Sequence, residues 1–361
     1  MTKILIVDDS ALMRRVLGTI LGAEADMEIA YARNGVEALE RVHDWSPDVI
    51  TLDIQMPGMD GLTCLDRIML ERPSRVVIVS SLTVEGADIA LEAMELGAVD
   101  AIAKPAGAIS LALDVFGPML VETLRAAAAA RLSGTARLAE RVRRRAQGAV
   151  NRPPSKARRA APPAATRRLS FAGQAVVIGT STGGPPALEA VLGGLPGDFP
   201  WPILVAQHMP ATFTGSLARR LDKLCALHVM EVTAPVPIAP GTVYVAQGEA
   251  DMIMGARPGG PVVMAAPADP AQRWHPSVDR LVRSAMLHMP PERLVGVLLT
   301  GMGNDGAAAM TELCRRGGRT IAESEATAII WGMPGELARA GGADHVLALG
   351  EIAGQLLGWA A

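Results

Sequence analysis

Ile4-Leu5-Ile6-Val7-Asp8-Asp9 is a compact run of β-branched and aliphatic residues closed by two carboxylates. Val49–Leu52 repeats that design and is closed by Asp53, Val76–Val79 is closed by Ser80, and Ala101–Ala103 by Lys104. Met27–Ala30 is a weaker run of the same kind. Between these runs lie amphipathic stretches, Asn34–Trp45 and Glu85–Leu96, with apolar residues near helical spacing. Short apolar strands alternating with helices predict a parallel, doubly wound α/β sheet. Such sheets gather their polar residues beyond the carboxyl ends of the strands. Asp8, Asp9 and Asp53 are therefore expected to converge, and their mutual repulsion to be relieved by a hard divalent cation with oxygen ligands, for which Mg²⁺ fits best. Ser80 adds a hydroxyl and Lys104 an ammonium, a set able to accept and hold a phosphoryl group.

Outward from this first part, the charge changes sign twice. Residues 1–120 hold 9 Lys+Arg against 19 Asp+Glu. Residues 121–168 hold 13 basic residues against 2 acidic ones, and residues 169–361 hold 12 against 16. Arg143-Arg144-Arg145, Arg158-Arg159 and Arg167-Arg168, with four Pro among them, read as an exposed tether after an Ala-rich helical extension. No aromatic interleaves with these Arg, so nucleic acid is not an expected partner. The expected domains are 1–120, a helical extension and basic linker over 121–172, and 173–361. Wholesale disorder is not expected with 50% hydrophobic residues, and no apolar run approaches the ~20 residues that cross a bilayer. Cys64, Cys225 and Cys314 stand far apart with no CxxC pair, as in a protein of the reducing cytoplasm. The N-terminus is too short and too soon acidic for a signal peptide.

The third part opens with Ala175–Ile178, another strand pattern, followed by Gly179-Thr180-Ser181-Thr182-Gly183-Gly184 and the helix start Pro185-Pro186. Further strands are expected at Ile203–Ala206, Val243–Val245, Leu294–Leu299, Thr320–Ala322 and Val346–Leu349, giving a second α/β domain. The Gly-rich turn matches G-x-S-x-G, which places a serine on a tight strand-to-helix turn with small neighbours. The alternative is an anion-binding turn with no reactive serine. His208, His228, His275, His288 and His345 are candidate bases; His208, directly after a strand, and His275, in Arg273-Trp274-His275-Pro276-Ser277, lead. Asp305, in Thr300-Gly301-Met302-Gly303-Asn304-Asp305-Gly306, is either the carboxylate that orients the base or a simple helix cap.

Residues 1–120 resemble the receiver domain of two-component response regulators through Val7-Asp8-Asp9, Leu52-Asp53-Ile54-Gln55-Met56-Pro57-Gly58-Met59-Asp60-Gly61, Ser80-Ser81 and Ala103-Lys104-Pro105. The resemblance implies phosphorylation of Asp53 by a histidine kinase. It places Mg²⁺ on Asp8, Asp9, Asp53 and the Gln55 carbonyl, and the phosphoryl oxygens on Ser80 and Lys104. It also implies a cis Lys104-Pro105 bond. Ala101 departs from the aromatic that many receivers carry there.

The third part is similar to the catalytic domain of the chemotaxis response-regulator methylesterases. The matching segments are Ile178–Gly184, Gln207-His208-Met209-Pro210, Pro276-Ser277-Val278-Asp279, Leu299–Gly306 and Gly332-Met333-Pro334. The resemblance implies Ser181 as nucleophile, His208 as base, Asp305 as its orienter and the Met302 N–H as oxyanion donor. It further implies demethylation of glutamate γ-methyl esters and deamidation of glutamines on chemoreceptors, by a monomer, with no metal in the ester step. Asp251 and His275 stand where many relatives carry His and Arg. A small-molecule esterase and a non-enzymatic receptor-binding module are the rival readings; a DNA-binding output would need a helix-turn-helix, and none is found.

Overall fold

A computed structural model describes residues 1–81, 83–105, 109–131 and 173–361. The chain divides into two compact units, Met1–Asn151 and Arg152–Ala361. The expected basic linker lies, beyond Arg131, outside the described residues.

The first unit holds five strands: β1 (Thr2–Val7), β2 (Met27–Ala32), β3 (Val49–Asp53), β4 (Arg75–Ser80) and β5 (Asp100–Ala103). All pair in parallel, in the order β2-β1-β3-β4-β5. Ile4, Leu5, Ile6, Ile50 and Leu52 are fully buried, as strands covered on both faces require. Helices fill the connections at Ala11–Gly22, Gly35–Trp45, Gly61–Glu71, Val84–Glu95 and Ile109–Ala129. The first four are started by side chains that take up an otherwise orphaned N–H: Ser10, Asn34, Asp60 and Thr83. The strand order reverses at β1 and β3, so Asp8, Asp9 and Asp53 meet at the crevice such a reversal opens. Lys104–Pro105 is trans; the cis bond among the described residues is His275–Pro276, so the expectation at 104–105 is corrected.

In the second unit, β6 (Ala175–Thr180), β7 (Ile203–Gln207), β8 (His228–Val232), β10 (Thr242–Ala246), β13 (Leu294–Leu298), β14 (Arg319–Glu323) and β15 (His345–Leu347) form one parallel sheet. Its order is β15-β14-β13-β6-β7-β10-β8. A separate antiparallel sheet joins β9 (Val236–Pro237), β11 (Ala250–Arg257) and β12 (Gly260–Pro267). The sequence did not announce β8, β9, β11 or β12. β11 is built largely from Ala, Met and Gly rather than β-branched residues, and its half-buried positions Ala250, Ile253 and Gly255 are not polar. The Val346–Leu349 strand is shorter than expected, since Leu349 opens the closing helix Leu349–Ala360. The chain leaves β6 toward β7 on one side and returns to β13 on the other, so β6 marks the reversal of this sheet. No helix of the described residues is long and apolar enough to cross a membrane.

Candidate active site

Ser181, His208 and Asp305 follow three adjacent strands, β6, β7 and β13, at their carboxyl ends. Ser181 N–H donates to Thr300 O (3.0 Å), which ties the serine turn to the loop after β13. Thr180 Oγ1 donates to the same carbonyl (2.9 Å). On the other side, His208 N–H donates to Thr180 O (3.1 Å), extending the β6–β7 pairing by one step. Gln207 then clamps the two loops: its Nε2 donates to Ser181 O (2.9 Å) and His208 O (3.0 Å).

The His208 ring is almost fully buried, and its Nε2 lies 2.9 Å from Asp305 Oδ2. Its other nitrogen, Nδ1, is buried and has no hydrogen-bond partner among the described residues. The ring stacks on Trp274, with centroids 5.9 Å apart and planes 4° from parallel. Arg273 covers the same indole, 5.1 Å from its ring centre. One face of the imidazole is thus held by an aromatic slab and one edge by a carboxylate.

Asp305 does more than face His208. Its carboxylate also accepts Val278 N–H (2.7 Å), Asp279 N–H (2.9 Å) and Ser277 Oγ–H (3.2 Å). Burial acts to raise its pKa, but the His208 hydrogen bond and these backbone donors prevail and hold the carboxyl below the usual range. Asp305 therefore does cap a helix, Val278–His288, though not the one that follows it in sequence.

Gly301 N–H donates to Ile330 O, and Gly301 O accepts from Gly332 and Met333 N–H. The Met302 N–H is left without a backbone acceptor among the described residues. Gly301 itself is dictated by space, because a Cβ there would sit 2.7 Å from Ser181 Cβ and 2.5 Å from Met333 Sδ. Gly301→Ala is accordingly expected to displace the serine turn, costing about 1–3 kcal/mol of stability. Esterase turnover and thermal unfolding of the variant, measured side by side, check this.

A family model described as CheB methylesterase matches residues 176–356, and one described as response regulator receiver domain matches residues 4–115. A protein-glutamate methylesterase/protein-glutamine glutaminase of Rhodopseudomonas palustris is 54% identical over 99% of this chain and 98% of its own length. The chain belongs to the CheB methylesterase family. A second member, from Rhodospirillum rubrum, is also 54% identical, over 99% of this chain and 96% of its own. The Thermotoga maritima CheB methylesterase catalytic domain is 38% identical over 52% of this chain and 98% of that one, with a TM-score of 0.49.

The other leading histidine is engaged elsewhere. His275 Nδ1 lies 2.9 Å from Asp251 Oδ1. Asp251, fully buried, also accepts Ser277 N–H (2.8 Å), Asp269 N–H (3.1 Å) and Arg280 Nη1 (2.6 Å). It organises the loop that presents Trp274. Gln207 and Trp274 were not singled out from the sequence. The one available signal was Trp274 itself, an indole beside a candidate histidine in a chain with only five Trp.

In the receiver unit, ligand oxygens of Asp8, Asp9 and Asp53 lie within 4.8 Å of one another. Lys104 Nζ bridges Asp8 Oδ2 (2.9 Å) and Asp53 Oδ2 (2.7 Å). Burial pushes the Asp53 carboxyl up; Lys104 opposes this, and the neighbouring Asp8 adds to it. Asp8 Oδ2 is buried, and among the described residues the Lys104 ammonium is its partner. A set of hard, underneutralised oxygens of this kind fits a hard divalent cation. Gln55 is exposed, and its N–H donates to Asp53 Oδ1 (3.3 Å). Ser80 ends β4 as expected, but its hydroxyl donates to Gly86 O (3.2 Å) rather than to the carboxylates.

Proposed function

We propose that this chain is a phosphorylation-activated serine hydrolase that demethylates glutamate γ-methyl esters, and deamidates glutamines, on chemoreceptor signalling helices in the cytoplasm. The observation that carries the reading is the His208 ring, fixed by Asp305 at Nε2 and stacked on Trp274, with Nδ1 buried and unpartnered among the described residues, on a residue whose backbone N–H bonds Thr180 O, next to Ser181.

In the reaction, Nδ1 of His208 accepts the Ser181 proton as Oγ attacks the γ-carbonyl. The imidazolium is stabilised by Asp305. The ring runs opposite to the chymotrypsin arrangement, in which Nε2 is the base. The Met302 N–H donates to the oxyanion; one such donor is worth about 2.7–4 kcal/mol in comparable sites. The tetrahedral intermediate collapses, His208 returns the proton, and methanol leaves from the ester or ammonia from the amide. Water then attacks the acyl-serine by the same route, releasing glutamate and restoring Ser181. A peptide bearing a glutamate γ-methyl ester should release methanol with this chain. A preference for simple small-molecule esters over receptor segments would favour the rival reading.

Phosphorylation is assigned to Asp53, with a histidine kinase as donor. Asp8, Asp9, Asp53 and the Gln55 carbonyl would hold Mg²⁺, which when bound offsets the charge of the incoming phosphoryl oxygens. Lys104 pairs with the same oxygens, and Ser80 Oγ exchanges Gly86 O for one of them. The added charge biases a two-state element toward the active form. A small-molecule phosphodonor with Mg²⁺ is expected to raise turnover by about 5- to 150-fold, the usual span of allosteric coupling. Asp53→Asn should show no rise; an equal response in that variant removes Asp53 from the mechanism.

A further inference from the structure

The helices Val278–His288 and Ala307–Arg315 begin side by side, and a carboxylate at the start of each accepts first-turn N–H groups of the other, in addition to the Ser277 Oγ that caps Arg280 N–H in the first. Asp305, from the loop before the second helix, accepts the Val278 and Asp279 N–H groups of the first. Asp279, in the first turn of the first helix, accepts the Ala309 N–H of the second (2.9 Å). The second helix has Gly306 at its N-cap and no side-chain cap of its own. A first-turn N–H left unpaired in this buried place would be costly, so Asp279 supplies what the local sequence does not. The two termini approach closely because Gly306, at φ 87°, has no side chain: a Cβ there would lie 2.5 Å from Val278 Cγ1.

We propose that Asp279 is a positioning residue for ester hydrolysis, locking the loop that carries Asp305 so that the Asp305 carboxylate stays on the His208 ring. This rests on the reading of Ser181, His208 and Asp305 given above. Nothing places Asp279 on the substrate; its effect passes through Asp305. The crossed arrangement makes the two carboxylates interdependent. Loosening the Asp279 cap frees the start of helix Ala307–Arg315 and the adjoining Asp305 loop, and with it the 2.9 Å separation from Nε2.

The charged groups around this pair are few. Arg283, on the same helix as Asp279, lies 3.3 Å from its Oδ2. Asp305 faces it from the loop after β13, and His208 lies beyond, from the loop after β7. Asp251 on β11 is engaged with His275 and Arg280, and Arg273 lies over Trp274, the indole stacked on His208.

The test compares kcat and KM for glutamyl methyl ester hydrolysis by the full chain, as wild type, Asp279→Ala and Asp279→Asn, with Ser181→Ala as blank and circular dichroism to fix the folded fraction. Asp279→Ala is expected to lower kcat about tenfold per folded molecule with KM within about twofold, as loss of a group acting only on the transition state requires. Asp279→Asn keeps an oxygen for the Ala309 N–H and should recover most of kcat. Wild-type kcat in Asp279→Ala, a change in KM alone, or Asp279→Asn no better than Asp279→Ala overturns the proposal. If Asp279→Ala does not fold, Asp279→Glu decides: it keeps the carboxylate but moves its oxygens by one methylene from the Ala309 N–H, so kcat should fall with KM unchanged, and wild-type kcat in that variant overturns the proposal. Activity surviving in Ser181→Ala would instead overturn the underlying reading.

Discussion

Ser181→Ala is expected to cut kcat for methyl ester hydrolysis on the order of 10⁶-fold, the loss seen when the nucleophile of a serine hydrolase is removed. The neighbouring hydroxyls are poor substitutes. Thr180 Oγ1 donates to Thr300 O, and Thr300 Oγ1 donates to Thr182 O (3.0 Å) while accepting Ile330 N–H (3.0 Å). These bonds hold the turn, and moving either threonine toward the substrate would break them. Ser181 is half-buried, and alanine keeps the backbone bonds of the turn, so folding should change by no more than about 0.5 kcal/mol. Methanol release and labelling of Ser181 by a fluorophosphonate should vanish together. A variant retaining a tenth of wild-type turnover would exclude Ser181 as the nucleophile.

Asp305→Asn is expected to lower kcat about 10⁴-fold with the fold retained. Asp279 N–H and Ser277 Oγ–H bond Asp305 Oδ1, whereas Val278 N–H and His208 Nε2 share Oδ2, so an amide that keeps its oxygen on the first two turns its NH₂ to His208 Nε2 and gives up Val278 N–H, at about 1–3 kcal/mol. An NH₂ donates, which makes Nε2 an acceptor and moves the ring proton of neutral His208 to Nδ1. The atom that must take the Ser181 proton is then already protonated. The charge that stabilises the imidazolium is lost as well. Stability carries a second signature. The folded-state Asp305 carboxyl lies below its unfolded value, so its contribution is present above about pH 4 and disappears as pH falls through the folded value. Any gap in unfolding temperature between wild type and Asp305→Asn should therefore close in acid. A kcat within tenfold of wild type would show that the carboxylate is a helix cap alone.

The two placements weighed for Asp305, against the candidate base and at a helix start, are not alternatives, since one carboxylate bonds both the His208 ring and the first N–H groups of a helix. The sequence offered only the helix that follows Asp305 as something to cap, whereas the carboxylate caps one that begins 27 positions earlier. Local spacing carries no information about such a pairing. His275 gives the converse lesson. Its segment was legible as a loop with a candidate base, but the buried Asp251 on β11 engages its ring, and the residue beside it, Trp274, stacks on His208. β11 was not visible because Met and Ala packed beneath a helix need no alternation with polar residues, and without β11 the partner of His275 had no address.

What the sequence determined by itself is the alternation of apolar runs with amphipathic helices, and the chemical group at the end of each run: Asp8, Asp9, Asp53, Ser80 and Lys104 in one unit, Ser181 and His208 in the other. These are local properties, since a strand buried on both faces must be apolar along its length and can become polar only where it leaves the sheet. The tertiary structure decided which ends meet and which atom of each group is free. It set β13 beside β6, turned Nε2 of His208 to Asp305 and left Nδ1 unpartnered, committed Ser80 Oγ to Gly86 O, and crossed the caps of two helices. Those outcomes depend on donors and acceptors brought together from distant parts of the chain, where the cost of burying an unpaired polar group selects one arrangement.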